Sequence, residues 1–392
     1  MDHHFYSLHT ARSIFCVNDS KFEKSFLPES RSFGGKGYLH AFLASRRLMA
    51  MKNQGEGTHF MSTFTISLDT QFPSYLRSRA QGKKISGQDE ALTECLRFLA
   101  PYRNGTDITP YLHENQDRLD SDPVRETVTA FLEFRTADHD RLRDTGEIRS
   151  ALSGSQLNAE ITGLFEMLGG ADWQVMTQRA KVNWAVSYMV LLFAAVIHLR
   201  HQNEKPVDRL VRLLEHLDEI GFLPKIEIHF VHKFFELGNR GHFFRHIQRS
   251  GKDVIKRLAN MAWDLSHKRT IIEGVTNVAR VDQDHADFVV PYMLTFDQAL
   301  RDLLNGYQLK GLISYMDNGV RFLEIYPEEV EERLSEAFHQ WPHLFEPGRK
   351  GDRLLRGRQF FSSEARRDEL ILHAESLLRS TLQETLYTFP NA

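Results

Sequence analysis

Cysteine is nearly missing from this 392-residue chain, with Cys16 and Cys95 the only two. They form no CxxC and no ladder of spacings, which excludes a disulfide scaffold and a thiolate zinc site and fits a reducing, cytoplasmic setting. Neither sign of charge dominates: 49 Lys+Arg stand against 52 Asp+Glu, a net −3, so no chain-wide basic signature of a nucleic-acid-binding domain is present. The opening "MDHHFYSLHTARSIFCVNDSKFEK" lacks the apolar core of a secretory signal. The most apolar stretch, "VNWAVSYMVLLFAAVIHL" from Val182 to Leu199, contains Asn183, Ser187 and His198 and is flanked by Lys181 and Arg200. It reads as a buried core helix, and no membrane association is expected. Internal repeats and low-complexity tracts are absent. The glycine-rich "SFGGKGYLHAF" lacks the GxxxxGK[ST] spacing of a phosphate loop and reads as a turn leading into a helix, "YLHAFLASRRLMAMK".

What is present is ordinary globular material. Hydrophobic residues make up 41% and charged residues 26%, and the 28 phenylalanines point to well-filled cores. The length suits two domains, or one domain carrying a long insertion. Residues 62 to 69 read as a short buried strand, and "QDEALTECLRFLA" as an amphipathic helix. Thr109-Pro110 is a good helix start. The stretch from about 155 to 250 reads as nearly all helix, including "PVDRLVRLLEHLDEIGF", whose apolar positions follow a helical period up to Gly221. In "LPKIEIHFVHKFFEL" strand and helix are hard to tell apart. Further on, "GLISYMDNGVRFLEIYP" suggests a strand pair, "PEEVEERLSEAFHQW" a helix, and the tail another amphipathic helix.

The chemistry lies in acids placed where strands end. In "MSTFTISLDTQFPSYLRSR" a run of apolar and β-branched residues delivers Asp69 just before a Phe-Pro break and a helix. In "FVVPYMLTFDQAL" a second apolar strand delivers Asp297 in the same way. Asp264 lies within the apolar helical run "LANMAWDLSHKR", and Glu114 lies one turn into the helix that begins at Pro110. The carboxyl ends of strands in open α/β sheets are where active sites collect. Carboxylate oxygens are hard ligands for Mg²⁺ or Mn²⁺, ions that activate water and stabilise phosphoryl displacement. Each acid also has a plainer reading: Asp69 as a turn residue, Asp297 as a helix cap, Asp264 as a partner for His267, Lys268 or Arg257, Glu114 as a solvated helix residue.

"FTISLDTQFPSYL", "YMLTFDQAL", "MAWDLSHKR" and "PYLHEN" together resemble the acidic motifs of PIN-domain nucleases. The resemblance implies an α/β fold with a PIN-like, Rossmann-like three-layer core, and a Mg²⁺- or Mn²⁺-dependent endoribonuclease. It implies Asp69, Asp264 and Asp297 as metal ligands, with Glu114 completing the catalytic acids. Glu133 in "AFLEF" competes with Glu114, and Asp282, Asp284 and Asp287 compete with Asp264. Because Asp69 and Asp297 stand far apart in the chain, the core is expected from residues 60–140 and 252–320. An N-terminal extension (1–59), a helical insertion (141–251) and a C-terminal helical extension (321–392) complete the expected organisation.

RNA is the expected partner, with Arg240, Arg245, His246, Lys268 and Arg269 as candidate contacts. "NRGHFFRHIQR" can be read as a basic, aromatic-rich loop that grips phosphates and stacks on bases. Its Arg240 and His246 also approach the spacing of metal-independent HEPN ribonucleases. "GRKGDRLLRGR", with Arg349, Lys350, Arg353, Arg356 and Arg358, is either a second phosphate contact or a solvated charge run. By analogy, such a nuclease could act as a bacterial toxin or anti-phage effector under a protein regulator. The rival expectation is a non-enzymatic helical interaction protein in which the acids are caps and surface charges.

Overall fold

The computed structural model describes residues 14–15, 30–41, 50–51, 62–238, 253–278, 288–305, 311–316, 320–325 and 341–388, with a few more between 332 and 339. Two units separate: Met1–Gln174 with Ile271–Pro327, and Val175–Thr270 with Glu328–Ala392.

The first unit begins with β1 (Ile14–Phe15), β2 (Ser30–Phe33), β3 (Gly37–Ala41), β4 (Ala50–Met51) and β5 (Ser62–Leu68). There follow α1 (Gln71–Ala80), α2 (Asp89–Leu99), β6 (Thr106–Asp107), α3 (Thr109–Glu114), α4 (Asp122–Arg135), α5 (His139–Thr145) and α6 (Gly154–Gly169). The long α7 (Ala171–Arg200) crosses into the second unit, which adds α8 (Pro206–Ile220), α9 (Lys225–Leu237) and most of α10 (Val254–Val278). The chain then supplies the first unit with β7 (Phe288–Thr295), α11 (Gln298–Asn305) and the hairpin of β8 (Gly311–Met316) and β9 (Val320–Ile325). Helices α12 (Pro347–Ser362) and α13 (Glu364–Thr388) belong to the second unit.

A five-stranded mixed sheet of order β2-β3-β7-β5-β6 organises the first unit. β7, β5 and β6 run parallel, and β3 and β2 add antiparallel strands at one edge. Ile66, Ser67 and Leu68 of β5 and Tyr292, Met293 and Leu294 of β7 are all buried, so both faces of these strands are covered, as expected of parallel strands in α/β proteins. The chain leaves β5 for β6 on one side and later returns as β7 on the other. The order therefore reverses at the β7–β5 boundary, where ligand sites form in open α/β sheets. The core of Phe33, Leu39, Ile66, Phe72, Leu92 and Leu96 closes around this boundary. The helix α2 contributes by the burial of Ala91, Leu92, Cys95, Leu96 and Leu99 along one stripe.

The structure is thus an α/β core with abundant helix, but several details differ from the sequence expectation. Tyr38-Leu39-His40-Ala41 is strand, not the start of a helix. Gly34 and Gly35 turn the chain at positive φ, and β3 then pairs with both β2 and β7, Leu39 standing opposite Leu294. That two-sided ladder outweighs local helix preference. Residues 30–41 are consequently part of the sheet and not an extension beside it. The unit borders fall at 174/175 and 270/271 and not at the expected 140/141 and 251/252, and the C-terminal helices join the helical middle instead of forming a separate extension. The segment "LPKIEIHFVHKFFEL" is settled as helix α9. Most of "PEEVEERLSEAFHQW" lies outside the described residues.

In the second unit, α7 is long and apolar enough to cross a membrane, yet 83% of its most apolar window is buried inside the protein, as in a core helix. Gly221 ends α8 at φ 114°, where a side chain would strike the backbone of Gly357 on α12. Around that close approach three arginines of α12 converge on the buried Asp218 of α8. Arg349 Nε donates to its Oδ2 at 2.7 Å, Arg353 Nη1 to its Oδ1 at 2.8 Å, and Arg356 Nη2 to its backbone oxygen at 2.9 Å. This part of the basic run "GRKGDRLLRGR" is tied to Asp218 and is not a freely solvated charge run, with Arg353 mostly buried and Arg349 and Arg356 each 38% exposed.

Candidate active site

Asp69 sits where strand becomes helix. Its N–H still donates to Leu294 O across the β5–β7 ladder at 2.9 Å, and its own carbonyl accepts from Phe72 N at 2.9 Å in the first turn of α1. The residue is 3% exposed. Its carboxylate Oδ2 accepts from Thr295 Oγ1 at 2.7 Å and Oδ1 from Thr70 N at 2.7 Å, with Thr70 Oγ1 at 3.4 Å.

Asp297 lies two residues past the end of β7, beside Asp69 because β5 and β7 run in parallel with Leu68 opposite Leu294. Its N–H donates to the same Thr295 hydroxyl at 2.9 Å. Its Oδ1 caps α11, accepting from Ala299 N at 2.6 Å and Leu300 N at 3.0 Å, while Oδ2 meets Gln71 Nε2 at a long 3.3 Å. The cap reading of Asp297 therefore holds for one oxygen, and the other faces the end of β5 through Gln71.

Electrostatics ties a third acid to this pair. Burial pushes the Asp69 carboxyl up to about 6; the Thr295 hydrogen bond opposes the rise and the Asp297 charge adds to it. Burial also pushes Glu114, at the end of α3, well above the ordinary carboxylate range, with the Asp69 charge adding and Arg118 opposing. Tyr75 on α1 is pushed up by burial and by the charges of Asp69 and Asp297. Asp69, Glu114, Asp297 and Tyr75 thus share one electrostatic neighbourhood at the carboxyl edge of the sheet. Glu133, the competing glutamate, lies on α4 with its carboxyl raised by burial alone, and it lines a different cleft with Glu126 and Asp122.

Asp264 lies in the interior of α10 and belongs to the second unit, whereas the other three acids belong to the first. Asp282, Asp284, Asp287, Arg240, Arg245 and His246 lie outside the described residues. Lys268 and Arg269, expected to touch nucleic acid, are engaged inside the second unit. Lys268 is buried with its ammonium 5.7 Å from the Phe230 ring centre, and Arg269 Nη2 donates to the buried Glu227 at 2.6 Å. Neither offers a surface cation, because the fold has already given each a partner.

One acid escaped the sequence reading. Asp107 ends β6 and accepts from Ser67 Oγ at 2.8 Å, Thr65 Oγ1 at 3.1 Å and Thr109 N at 2.9 Å. It ties β6 to β5 and starts α3, which places Glu114. Its signal was the Asp two residues ahead of the Thr-Pro helix start.

Beside the acids opens a cleft of about 580 Å³, lined by Gln71, Tyr75, Glu114, Asn115 and the guanidinium-bearing Arg77 and Arg118. Among the described residues no group of three or more His, Cys, Asp or Glu side chains is drawn together tightly enough to cage an ion. Mg²⁺, however, is ordinarily held by one or two carboxylates together with water and substrate phosphate. Asp69 and Asp297 with Glu114 nearby fit that pattern, since hard oxygen donors with raised proton affinity are relieved by a cation. The arrangement can hold a hard divalent ion, and near neutral pH Asp69 can exchange a proton. Compared with known proteins, the chain matches no family model, no curated protein and no solved structure.

Proposed function

We propose that the first unit is a PIN-like, Mg²⁺- or Mn²⁺-dependent endonuclease acting on RNA. The observation that carries this reading is the pairing of Asp69 and Asp297 at the carboxyl ends of adjacent parallel strands, joined through the Thr295 hydroxyl. Asp69, Asp297 and Glu114 would hold the metal. Asp264, expected as a ligand, belongs to the second unit and is left out of the set. A bound divalent ion would lower the pKa of a water and neutralise charge on the phosphoryl oxygens. The chain's own residues place the acids: Thr295 and Thr70 fix Asp69, the α11 amides fix Asp297, and Asp107 sets the start of the helix that ends in Glu114.

A ribonuclease of this kind would act in the cytoplasm as a toxin or anti-phage effector, and growth arrest on expression should vanish with Asp69→Asn. The direct test is cleavage of single-stranded RNA with Mn²⁺ by purified protein. Wild type should cut, and Asp69→Asn and Asp297→Asn should each lose cleavage while keeping the fold. The double variant should be little worse than either single one, because the acids act as a unit. A folded wild type that cuts neither RNA nor DNA with any divalent ion would overturn the reading in favour of a non-enzymatic interaction protein.

A further inference from the structure

We infer that Arg118, with Arg77 as a second point, clamps the phosphodiester backbone of a single-stranded substrate in the cleft beside the acids. This rests on the nuclease reading for the identity of the substrate, but its evidence is separate. Arg118 is exposed and lines the same cleft as Glu114. It is also aimed. Its Nε donates to Asn115 Oδ1 at 2.7 Å, and the buried Asn115 is itself fixed by donating Nδ2 to Tyr111 O at 2.7 Å.

Holding a guanidinium by Nε leaves its two terminal nitrogens as a preformed fork, the geometry that matches a phosphate's oxygens in pairs. A side chain needed only to balance Glu114 would not require a buried asparagine to orient it. Arg77 sits further along the same cleft, with Nη1 donating to Pro123 O at 3.0 Å. Arg77 also lines an adjoining cleft, where it and Arg125 stand among three carboxylates, Asp122, Glu126 and Glu133, so negative charge prevails there and disfavours phosphate. The cations that line the cleft beside the acids are thus Arg77 and Arg118, and the adjoining cleft is acidic on balance. That pattern suits a few nucleotides of a flexible strand and not a long duplex.

The experiment measures binding of a fluorescent single-stranded oligoribonucleotide, and its deoxy counterpart, in EDTA and in Ca²⁺, across a salt series, alongside Mn²⁺-dependent cleavage. Arg118→Ala should weaken binding about tenfold, the scale of one charge-assisted hydrogen-bonded contact, and flatten the salt dependence by about 0.7 in slope. Arg118→Lys should restore the salt slope but not the affinity, since it keeps the charge and loses the fork. Asn115→Leu should resemble Arg118→Lys. Arg143→Ala, on the exposed α5 and paired with Asp140 and Asp144, should bind as wild type.

In cleavage, Arg118→Ala should raise KM more than it lowers kcat. Cleavage by wild type with KM and salt slope unchanged in Arg118→Ala would overturn the clamp and leave the nuclease standing. Arg118-dependent binding without cleavage in any ion would sustain the clamp and remove the nuclease. No binding by wild type in either buffer would overturn the clamp. Equal affinity for the deoxy probe would identify the shared backbone as what is read; a preference for RNA would mean that the 2′-hydroxyls are read as well.

Discussion

Thr295 donates its hydroxyl to Asp69 Oδ2 at 2.7 Å and accepts from Asp297 N–H at 2.9 Å, so one small side chain sets the relation between two acids from distant parts of the chain. Replacing it with the isosteric valine removes both bonds and leaves the shape. Thr295→Val should destabilise the first unit by about 1–2 kcal/mol through the polar groups it leaves unmet. It should also raise the Asp69 carboxyl further, since the Thr295 hydroxyl is the largest of the hydrogen bonds that oppose burial there, ahead of those from Thr70. Carboxyl titration by ¹³C NMR checks the second effect, and an unchanged Asp69 titration would contradict it.

Asp69→Asn should be more stable than wild type at neutral pH although inactive. Burial holds the folded carboxyl at about 6 against an ordinary 3.8. Between those values the folded state keeps a proton that the unfolded chain gives up, so wild-type stability falls as pH rises through the window. Above pH 6 the full cost is about 3 kcal/mol, and below the unfolded value it is absent. Urea melts from pH 4 to pH 7 should show the asparagine variant gaining on wild type as pH rises. Mg²⁺ or Mn²⁺ should raise the wild-type melting temperature and leave the variant nearly unmoved. Equal shifts in both proteins would count against a metal at this site.

His113 works in the opposite direction from Asp69. It is 2% exposed, stacks on Trp173 at 5.1 Å, and burial lowers its ring to about 4. Here the unfolded chain takes up a proton that the folded state refuses, so stability falls as pH drops from 6.5 towards 4, by up to about 3 kcal/mol. His113→Phe keeps a ring against Trp173 and should remove that slope. A variant whose acid limb matches wild type would refute the assignment.

Asp218→Asn tests the second unit independently. Burial alone would raise this carboxyl, but hydrogen bonds from Arg349 and Arg353, and then their charges, hold it below the ordinary range. Removing the charge weakens the bonds from Arg349 and Arg353, of which only Arg353 is mostly buried, and should cost about 2 kcal/mol. Thermal unfolding followed by hydrogen exchange should place the loss in α8 and α12, with protection of β5 and β7 unchanged.

Much of this was legible locally. A strand of β-branched and apolar residues that runs into Asp and then into a helix is written in consecutive residues, and both such cadences, at Asp69 and Asp297, occur where they were read. The helical period of α8 up to Gly221 and the apolar stretch from Val182 to Leu199 within α7 are equally plain, because side-chain period and end residues act within one element.

Partnership was not legible, because it is decided by long-range pairing and burial. Tyr38-Leu39-His40-Ala41 has no strong strand signal of its own and is strand because β7 offers it a ladder. Glu114 and Glu133 look alike in sequence, and only the position of α3 beyond β6 puts the former in the field of Asp69. Lys268 and Arg349 resemble surface cations until the fold sets Phe230 beneath one and Asp218 against the other. That two strands end on carboxylates is written in consecutive residues. Only the tertiary structure, by laying β5 and β7 side by side in parallel, decided that these carboxylates are neighbours, since register between strands distant in the chain is set by the ladder and the shared core.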